Sequence, residues 1–162
     1  MLFLTVLAIG TAVAWLIGRN RSTWRDHVRR GFGAAMIVAG LSHLGRPEPF
    51  LQHLPDWMPW PDATVFVSGL VEMALGALMF RPARLRERVG LALSTYLIAV
   101  FPANVYVALE AIDVQGQPDG PYAWIRLPLQ GLFVFLAWWS TRTEGDEAQP
   151  IPEARPLEHA AR

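Results

Sequence analysis

Five stretches of the chain are apolar for long enough to predict membrane-spanning helices. About nineteen residues, at 1.5 Å of rise each, cross a bilayer core of roughly 30 Å. Hydrophobic residues make up 52% of the chain and charged residues 17%, which is too apolar for an ordinary soluble domain. The pattern therefore predicts an all-α, polytopic membrane helical bundle over residues 1–142, with spans at about residues 2–18, 28–45, 62–80, 89–110 and 122–140.

The third apolar run carries an ionisable residue, Glu72, near its middle. A carboxylate at that depth costs several kcal/mol unless it is protonated, paired or turned toward protein. Ser68, Gly69 and Gly76 lie within about one turn on the same face, where small residues let neighbouring helices approach closely. We therefore predict that Glu72 points into the bundle and not into lipid.

The segments between the runs differ sharply in their Arg content. All fourteen basic residues are Arg, and nine of them fall in residues 19–30 and 81–88, against one, Arg46, in the other two connections. Because basic loops stay on the cytoplasmic side, we expect a bacterial inner-membrane protein with its N-terminus outside and its C-terminus inside. A nucleic-acid patch is the alternative for residues 19–30, but a short basic loop between two spans is typical of a membrane anchor.

The two ends of the chain lead to separate expectations. The first run is followed by Arg19 and Arg21, has no positive charge before it, and lacks a small-residue cleavage site. We therefore expect a retained helix and not a cleaved signal peptide. Residues 143–162 are rich in Pro and acidic residues and poor in apolar ones, which predicts a disordered cytoplasmic tail.

The connection between the second and third runs, residues 46–61, is rich in both proline and aromatic residues. Its five prolines prevent a long helix. Phe50, Trp57 and Trp60 provide an apolar, aromatic surface of the kind found at membrane interfaces. We therefore predict an interfacial lid over the outer end of the bundle, with these three residues as the lid candidates.

Pro102 interrupts the fourth run. It has no N–H group to donate to the carbonyl of Ile98, so the helix should kink just before Asn104. A kink inside a membrane frees a backbone acceptor, and that acceptor needs another donor.

Five polar side chains fall in the outer half of the predicted membrane region, with Glu72 the deepest when depth is counted at 1.5 Å per residue. Arg126 and Gln130 are four residues apart on one helix face, so an ion pair between Glu72 and Arg126 is geometrically possible. Ionisable residues inside a membrane favour a ligand or proton site, yet a purely structural network stays open as the alternative. The candidates are His43, Glu72, Asn104, Arg126 and Gln130.

Several kinds of chemistry are disfavoured by composition. The chain has no Cys, which excludes a dithiol relay, a disulfide and cysteine-based metal or haem attachment. One deep His is too few for haem ligation by two protein groups, and no metal-ligand spacing or nucleophile triad is present. We therefore expect no metal site and no certain cofactor, and any redox role would need a borrowed one.

A succession of short motifs resembles the DoxX-like family of small bacterial integral membrane proteins. The motifs are GLSHLGRPEPF, LPDWMPWP, SGLVE, VFPANVY and WIRLPLQ, which together cover about residues 31–139. The resemblance implies a four-helix core, to which this chain adds one extra N-terminal transmembrane helix. It assigns no proven catalytic role to any of the five candidate residues.

The DoxX-like resemblance also implies a function. Members of that family are associated with membrane redox, and the founding member is a subunit of a thiosulfate:quinone oxidoreductase. The expectation is an accessory or quinone-binding component of a membrane redox system that is not an enzyme on its own. Its implied partners are the lipid bilayer and a membrane oxidoreductase subunit, with no nucleic acid. The alternatives are a carrier or binding protein for a lipid, isoprenoid or small solute, and a purely structural membrane subunit.

Overall fold

The structure is a computed structural model that describes residues 2–18, 22–81, 83–118 and 121–142, and the predicted tail at residues 143–162 lies outside the described residues. The described part of the chain is all-helical, without a β-strand, as predicted. Its helices are α1 (Leu2–Gly18), α2 (Trp24–Gly45), α3 (Glu48–Leu51), α4 (Pro61–Leu78), α5 (Ala83–Ala99), α6 (Phe101–Leu109) and α7 (Tyr122–Thr141).

Helix α2 begins earlier than the apolar pattern predicts, at Trp24 and not at about residue 28. A capping box at its N-terminus explains the difference. The Thr23 hydroxyl accepts the N–H of Asp26 at 3.3 Å, while the Asp26 carboxylate accepts the N–H of Thr23 at 3.4 Å. These bonds satisfy backbone groups that a helix start leaves without partners, so polar residues extend the helix beyond its apolar part.

The predicted kink in the fourth run is confirmed, since the run divides into α5 and α6 at Val100. Pro102 lies in the first turn of α6, where a missing N–H is tolerated. The carbonyl that meets a new donor is not that of Ile98 but that of Leu97, one residue earlier, which accepts a hydrogen bond from Nε2 of Gln130 on α7 at 2.8 Å. The break therefore creates a specific link between the fourth run and the last helix.

Helix α2 is the centre of the bundle and packs against α1, α4 and α7, while α5 and α6 pack against α7. Two glycine pairs bring α2 and α4 together. A Cβ added at Gly33 would lie 2.8 Å from the carbonyl oxygen of Gly76, and one added at Gly40 would meet the carbonyl oxygen of Gly69. The close approach predicted for Gly69 and Gly76 is confirmed, and it holds α4 against α2 along the turns that flank Glu72.

The apolar core lies where α2, the end of α4, α5 and α7 meet, around Phe32, Met36, Met79, Leu93 and Ala137. These five side chains are almost fully inaccessible to solvent. An aromatic group formed by Phe3, Phe32 and Phe133 joins α1 to this core. The charged and polar side chains at the two ends of the bundle are therefore separated by an apolar middle.

Two helical segments of the described chain are long and apolar enough to cross a membrane, Pro61–Leu78 and Leu85–Leu109. Only 17% of the first span and 28% of the second is buried inside the bundle, so most of their apolar surface faces outward. The core helix of a soluble protein would be mostly buried. Helix α1 is apolar but shorter. These features support membrane association.

Candidate functional site

Glu72 lies in a pocket of polar groups between α2, α4 and α5. Tyr96 of α5 donates its hydroxyl hydrogen to Oε1 of Glu72 at 2.9 Å. The Glu72 side chain is 12% exposed, which confirms that it points into the bundle and not outward. Gly69, one turn before Glu72, makes room for His43, because a Cβ at Gly69 would lie 2.7 Å from the Cβ of His43.

His43 lies beside Glu72 but donates its Nδ1 hydrogen elsewhere. Its Nδ1 atom is 3.4 Å from Oε2 of Glu72 and 2.9 Å from the carbonyl oxygen of Ala39. One ring nitrogen carries one hydrogen, and the shorter contact takes it. The Oε2 atom of Glu72 is therefore buried without a hydrogen-bond partner, although His43 is within ion-pair distance. Phe50 of α3 covers the imidazole by stacking at 3.6 Å between ring centroids.

Arg126 of α7 is the centre of a second polar cluster. Its Nη1 atom donates to Oε1 of Gln117 at 2.7 Å and contacts Nε2 of His53 at 2.9 Å. Its Nη2 atom donates to Oδ1 of Asn104 at 2.6 Å. All three acceptors are neutral, and none of the ion pairs within the described residues includes Arg126. The guanidinium is thus held by hydrogen bonds without a compensating carboxylate.

Asn104 and Gln130 extend the Arg126 cluster into the bundle. The Nδ2 atom of Asn104 is 3.5 Å from Oε1 of Gln130, which is a weak hydrogen bond. Gln130 is buried and uses its own amide hydrogen on the Leu97 carbonyl. A chain of hydrogen bonds therefore runs from Arg126 to the helix break between α5 and α6.

His53, which the sequence analysis missed, connects Arg126 with the segment that follows α2. Its Nδ1 atom is 2.7 Å from the carbonyl oxygen of Pro49, so Nδ1 carries the hydrogen and Nε2 accepts from Arg126. Burial, and then the positive charge of Arg126, lower the pKa of His53 to about 4. His53 is therefore neutral at pH 7 and acts as an acceptor for the guanidinium.

The predicted ion pair between Glu72 and Arg126 is wrong. Each side chain is held by its own partners, with Tyr96 on Glu72 and Asn104 among those on Arg126. The physical reason is that neutral donors and acceptors meet each of the two side chains at short range. The structure brings Asn104, Arg126 and Gln130 together in one cluster, and places His43 with Glu72 in the other.

The predicted lid also needs correction. Phe50 stacks on His43, but Trp57 and Trp60 are 79% and 80% exposed and cover neither cluster. Both indoles belong to the irregular stretch between α3 and α4, which the prolines keep out of a helix and away from the two clusters. The side chains that reach the clusters from the connecting segments are Phe50, His53 and Gln117.

Three residues of the clusters carried no usable signal in the sequence. Tyr96 lies inside the fourth apolar run, and a count of 1.5 Å per residue places it about 6 Å deeper than Glu72, so depth alone did not pair the two residues. His53 and Gln117 lie in irregular connections, where no periodicity indicates which way a side chain points.

Within the described residues, no group of three or more His, Asp or Glu side chains is arranged to hold a metal ion.

Comparison with known proteins identifies one family. Residues 32–141 match a family described as a domain of unknown function, DUF8561, while no curated protein and no solved structure matches the chain. This family is different from the DoxX-like one, so the resemblance to DoxX-like proteins is wrong. Strings such as LPDWMPWP combine Pro and Trp, a composition that is common at membrane interfaces and therefore does not identify one family. The match covers more than half of the chain, which therefore belongs to the DUF8561 family.

Proposed function

We propose that the chain is a five-span membrane protein, with α1, α2, α4, the α5–α6 pair and α7 as the spans. The outward-facing apolar surface of α4 and of the α5–α6 pair supports this proposal. The family match begins at Phe32 in α2 and ends at Thr141 in α7, leaving α1 outside it. This division supports a core of four spans with one additional N-terminal span.

The proposed orientation places the connection between α2 and α4 outside and the basic segments inside. The nine-to-one distribution of Arg between the two sets of connections supports it. In this orientation, the exposed indoles of Trp57 and Trp60 lie at the outer interface. Tryptophan is enriched at this level of a membrane because its amphipathic ring packs among lipid headgroups. Both polar clusters then face the outer half of the membrane.

We propose that the Arg126 cluster is a binding site for a small molecule with an anionic or carbonyl oxygen. The observation that carries the proposal is a guanidinium held by three neutral acceptors and by no carboxylate within the described residues. A buried cation without a counter-charge is costly, and an anionic or strongly accepting ligand group would offset that cost.

The positions of the three acceptors favour entry from the outer end. His53 and Gln117 belong to connecting segments, whereas Asn104 belongs to α6. Two of the three bonds can therefore open without moving a span, and a ligand oxygen can take the place of either acceptor. The proposed role is a binding or carrier component and not an enzyme on its own.

The expectation of a quinone-binding component of a membrane redox system came only from the resemblance to DoxX-like proteins. Because that resemblance is wrong, the expectation no longer has its support.

The test is identification of small molecules that co-purify with the protein in lipid nanodiscs, by mass spectrometry. The comparison is between the unaltered chain, Arg126→Gln, and the control Arg46→Gln, which removes an exposed charge from the same proposed side. We expect a bound species with the unaltered chain and with Arg46→Gln, and its loss from folded Arg126→Gln protein. Identical bound species in all three proteins would contradict the proposal.

A purely structural role is the second candidate, and one observation favours it. Two of the five N–H hydrogens of Arg126 are used by Gln117 and Asn104 at 2.6–2.7 Å, and His53 accepts a third contact, so the cluster already resembles a satisfied network. This role is supported if no molecule co-purifies with the unaltered chain and if Arg126→Gln lowers only thermal stability.

A further inference from the structure

Glu72 has two carboxyl oxygens, and the structure provides a hydrogen-bond donor for only one of them. Oε1 accepts the hydroxyl hydrogen of Tyr96 at 2.9 Å, whereas Oε2 is buried and has no hydrogen-bond partner. His43 lies 3.4 Å from Oε2, but its Nδ1 hydrogen is bonded to the Ala39 carbonyl. An ionised Glu72 therefore keeps negative charge on a buried oxygen that no donor satisfies, which is costly.

The helices around Glu72 pack too closely to admit a larger cation beside it. A Cβ added at Gly69, one turn before Glu72, would lie 2.7 Å from the Cβ of His43 and 3.0 Å from the carbonyl oxygen of Gly40. Within the described residues, Glu72 also belongs to no group of three or more potential metal ligands. A proton needs no such space, so it is the cation that this carboxyl group can take up.

The Tyr96 hydroxyl can serve both protonation states of Glu72. Its oxygen is 2.9 Å from Oε1 of Glu72 and 3.5 Å from the carbonyl oxygen of Ser68. When Glu72 is ionised, the hydroxyl donates to Oε1. When Glu72 is protonated at Oε1, the acid donates to the hydroxyl oxygen, and the hydroxyl hydrogen turns toward the Ser68 carbonyl. Both states therefore keep the bond between Glu72 and Tyr96, and the change needs only the rotation of one hydroxyl.

Few titratable groups face Glu72, so its surroundings set its proton equilibrium. Of the helices that pack against α4, α2 contributes His43 and α5 contributes Tyr96. Helix α3 contributes the exposed Glu48 and the uncharged ring of Phe50, which lies on His43. No other titratable side chain in the described part of the chain forms a hydrogen bond or an ion pair with Glu72.

Phe50 covers the way from the connecting segment to this site. Its ring stacks on the His43 imidazole at 3.6 Å between centroids, and that imidazole is 10% exposed. The Phe50 carbonyl accepts the N–H of His53 at 3.1 Å, and His53 in turn contacts Arg126. The same few residues therefore cover His43 and hold the Arg126 cluster.

We propose that Glu72 is a reversible proton-binding site inside the bundle, with Tyr96 as its partner in both states and an approach past Phe50 and His43. Uptake of one H⁺ converts the carboxylate to a neutral carboxylic acid, and no other covalent bond is made or broken. The negative charge on Oε2 then disappears, which lowers the cost of leaving that oxygen without a donor. Glu72 needs no ligand at Arg126 for this, because no hydrogen bond or ion pair of the described residues joins it to that cluster.

The test is infrared difference spectroscopy of the protein in nanodiscs between pH 6 and pH 9. A protonated carboxyl absorbs at a different frequency from a carboxylate, and carboxyl groups with an ordinary pKa are ionised throughout this range. We expect one carboxylic acid band that decreases about tenfold or more from pH 6 to pH 9. The band should be absent from Glu72→Gln and present in Asp62→Asn, which removes an exposed carboxylate from the first turn of the same helix.

The absence of a titrating band from the folded, unaltered chain, or its persistence in Glu72→Gln, would overturn the proposal. If Glu72→Gln does not fold, isotope-labelled glutamate should shift the band of the unaltered chain. Tyr96→Phe, which removes the partner of Glu72, should also change the band frequency, whereas Tyr106→Phe should not. A band that neither the label nor Tyr96→Phe moves would equally overturn the proposal. Failure of the co-purification test for Arg126 leaves these results unaffected.

Dicyclohexylcarbodiimide, which reacts with protonated carboxyl groups in apolar surroundings, tests the approach past Phe50. At pH 6, Phe50→Ala should raise the rate at which Glu72 is modified, measured by peptide mass spectrometry, because it uncovers His43. Trp57→Ala, which removes an exposed aromatic ring from the same connection, should leave the rate unchanged. Equal rates in the unaltered chain and in both variants would overturn this approach.

Discussion

At the scale of single residues, the ionisable side chains of Glu72 and Arg126 are each held by neutral partners. Tyr96 is the hydrogen-bond donor to Glu72, and His53, Asn104 and Gln117 accept from Arg126. A buried charge held only by dipoles keeps much of its field, because no opposite charge cancels it. The bundle therefore contains two separate ionisable sites, one at Glu72 and one at Arg126, that can respond to a ligand or a proton.

The hydrogen bond between Tyr96 and Glu72 predicts coupled mutational effects. Tyr96→Phe removes the donor and should lower the free energy of unfolding by about 1–3 kcal/mol, since a buried carboxylate oxygen loses its partner. Tyr106→Phe, for which the structure shows no such bond, should change stability by less than about 0.5 kcal/mol. Chemical unfolding in detergent measures both. Glu72→Gln should lower the free energy of unfolding by less in the Tyr96→Phe background than in the unaltered chain. Simple additivity of the two losses would refute the coupling.

His53 predicts a loss of stability in acid. Its pKa is about 4 in the folded protein and about 6.5 in the unfolded chain, so between these values the unfolded state binds more protons. The contribution of neutral His53 to the free energy of unfolding is fully present above pH 6.5. It is lost as the pH falls toward 4, which lowers the free energy of unfolding by up to about 3 kcal/mol. Unfolding midpoints in detergent across this range measure the effect.

The control for this prediction is His53→Gln, which keeps an acceptor for Arg126 but cannot titrate. The dependence of its unfolding midpoint on pH should be flatter than that of the unaltered chain between pH 6.5 and 4. Parallel curves for the two proteins would show that other groups cause the acid sensitivity.

At the scale of helices, small residues and helix interruptions decide how the segments fit together. The glycine pairs of α2 and α4 allow backbone contact, which places His43 beside Glu72. The break at Val100 leaves the Leu97 carbonyl for Gln130, which binds α7 to α5. The polar residues of the two clusters are thus positioned by backbone features of the helices that carry them.

The α2–α4 contact predicts a strong effect of one methyl group. A Cβ at Gly76 would lie 2.7 Å from the carbonyl oxygen of Gly33 and 3.0 Å from the backbone nitrogen of Ile37. Gly76→Ala should therefore force α2 and α4 apart and lower the free energy of unfolding by about 1–3 kcal/mol. Gly131→Ala, where a Cβ meets nothing within 4 Å, should be neutral or slightly stabilising because Ala favours helix. Similar thermal stabilities for the two variants in detergent would contradict the close packing.

At the scale of the whole molecule, the charge distribution predicts which end of the bundle faces which side of the membrane. The chain has no Cys, so single cysteines can be introduced without a background. Ser22→Cys and Asp56→Cys should be labelled by an impermeant maleimide from opposite sides, with Asp56→Cys accessible in intact cells and Ser22→Cys only after lysis. Labelling of both from the same side would refute the five-span topology.

The sequence by itself determined the helical class, the approximate apolar runs and the kink at Pro102, because periodicity, hydrophobic length and the missing proline N–H act locally. It also indicated Glu72 as an inward-facing residue, since the small residues that let α2 approach are on the same helix.

Only the tertiary structure decided which side chains meet. Depth along the helix axis places Glu72 and Arg126 in the same half of the predicted membrane region. It does not say which faces of α4 and α7 oppose each other. These faces depend on the packing of α4 and α7 against α2 and α5. His53 and Gln117 reach Arg126 from irregular segments, over 73 and 9 residues of sequence separation respectively. Their directions follow from the folded path of the chain, for which no local pattern in the sequence exists.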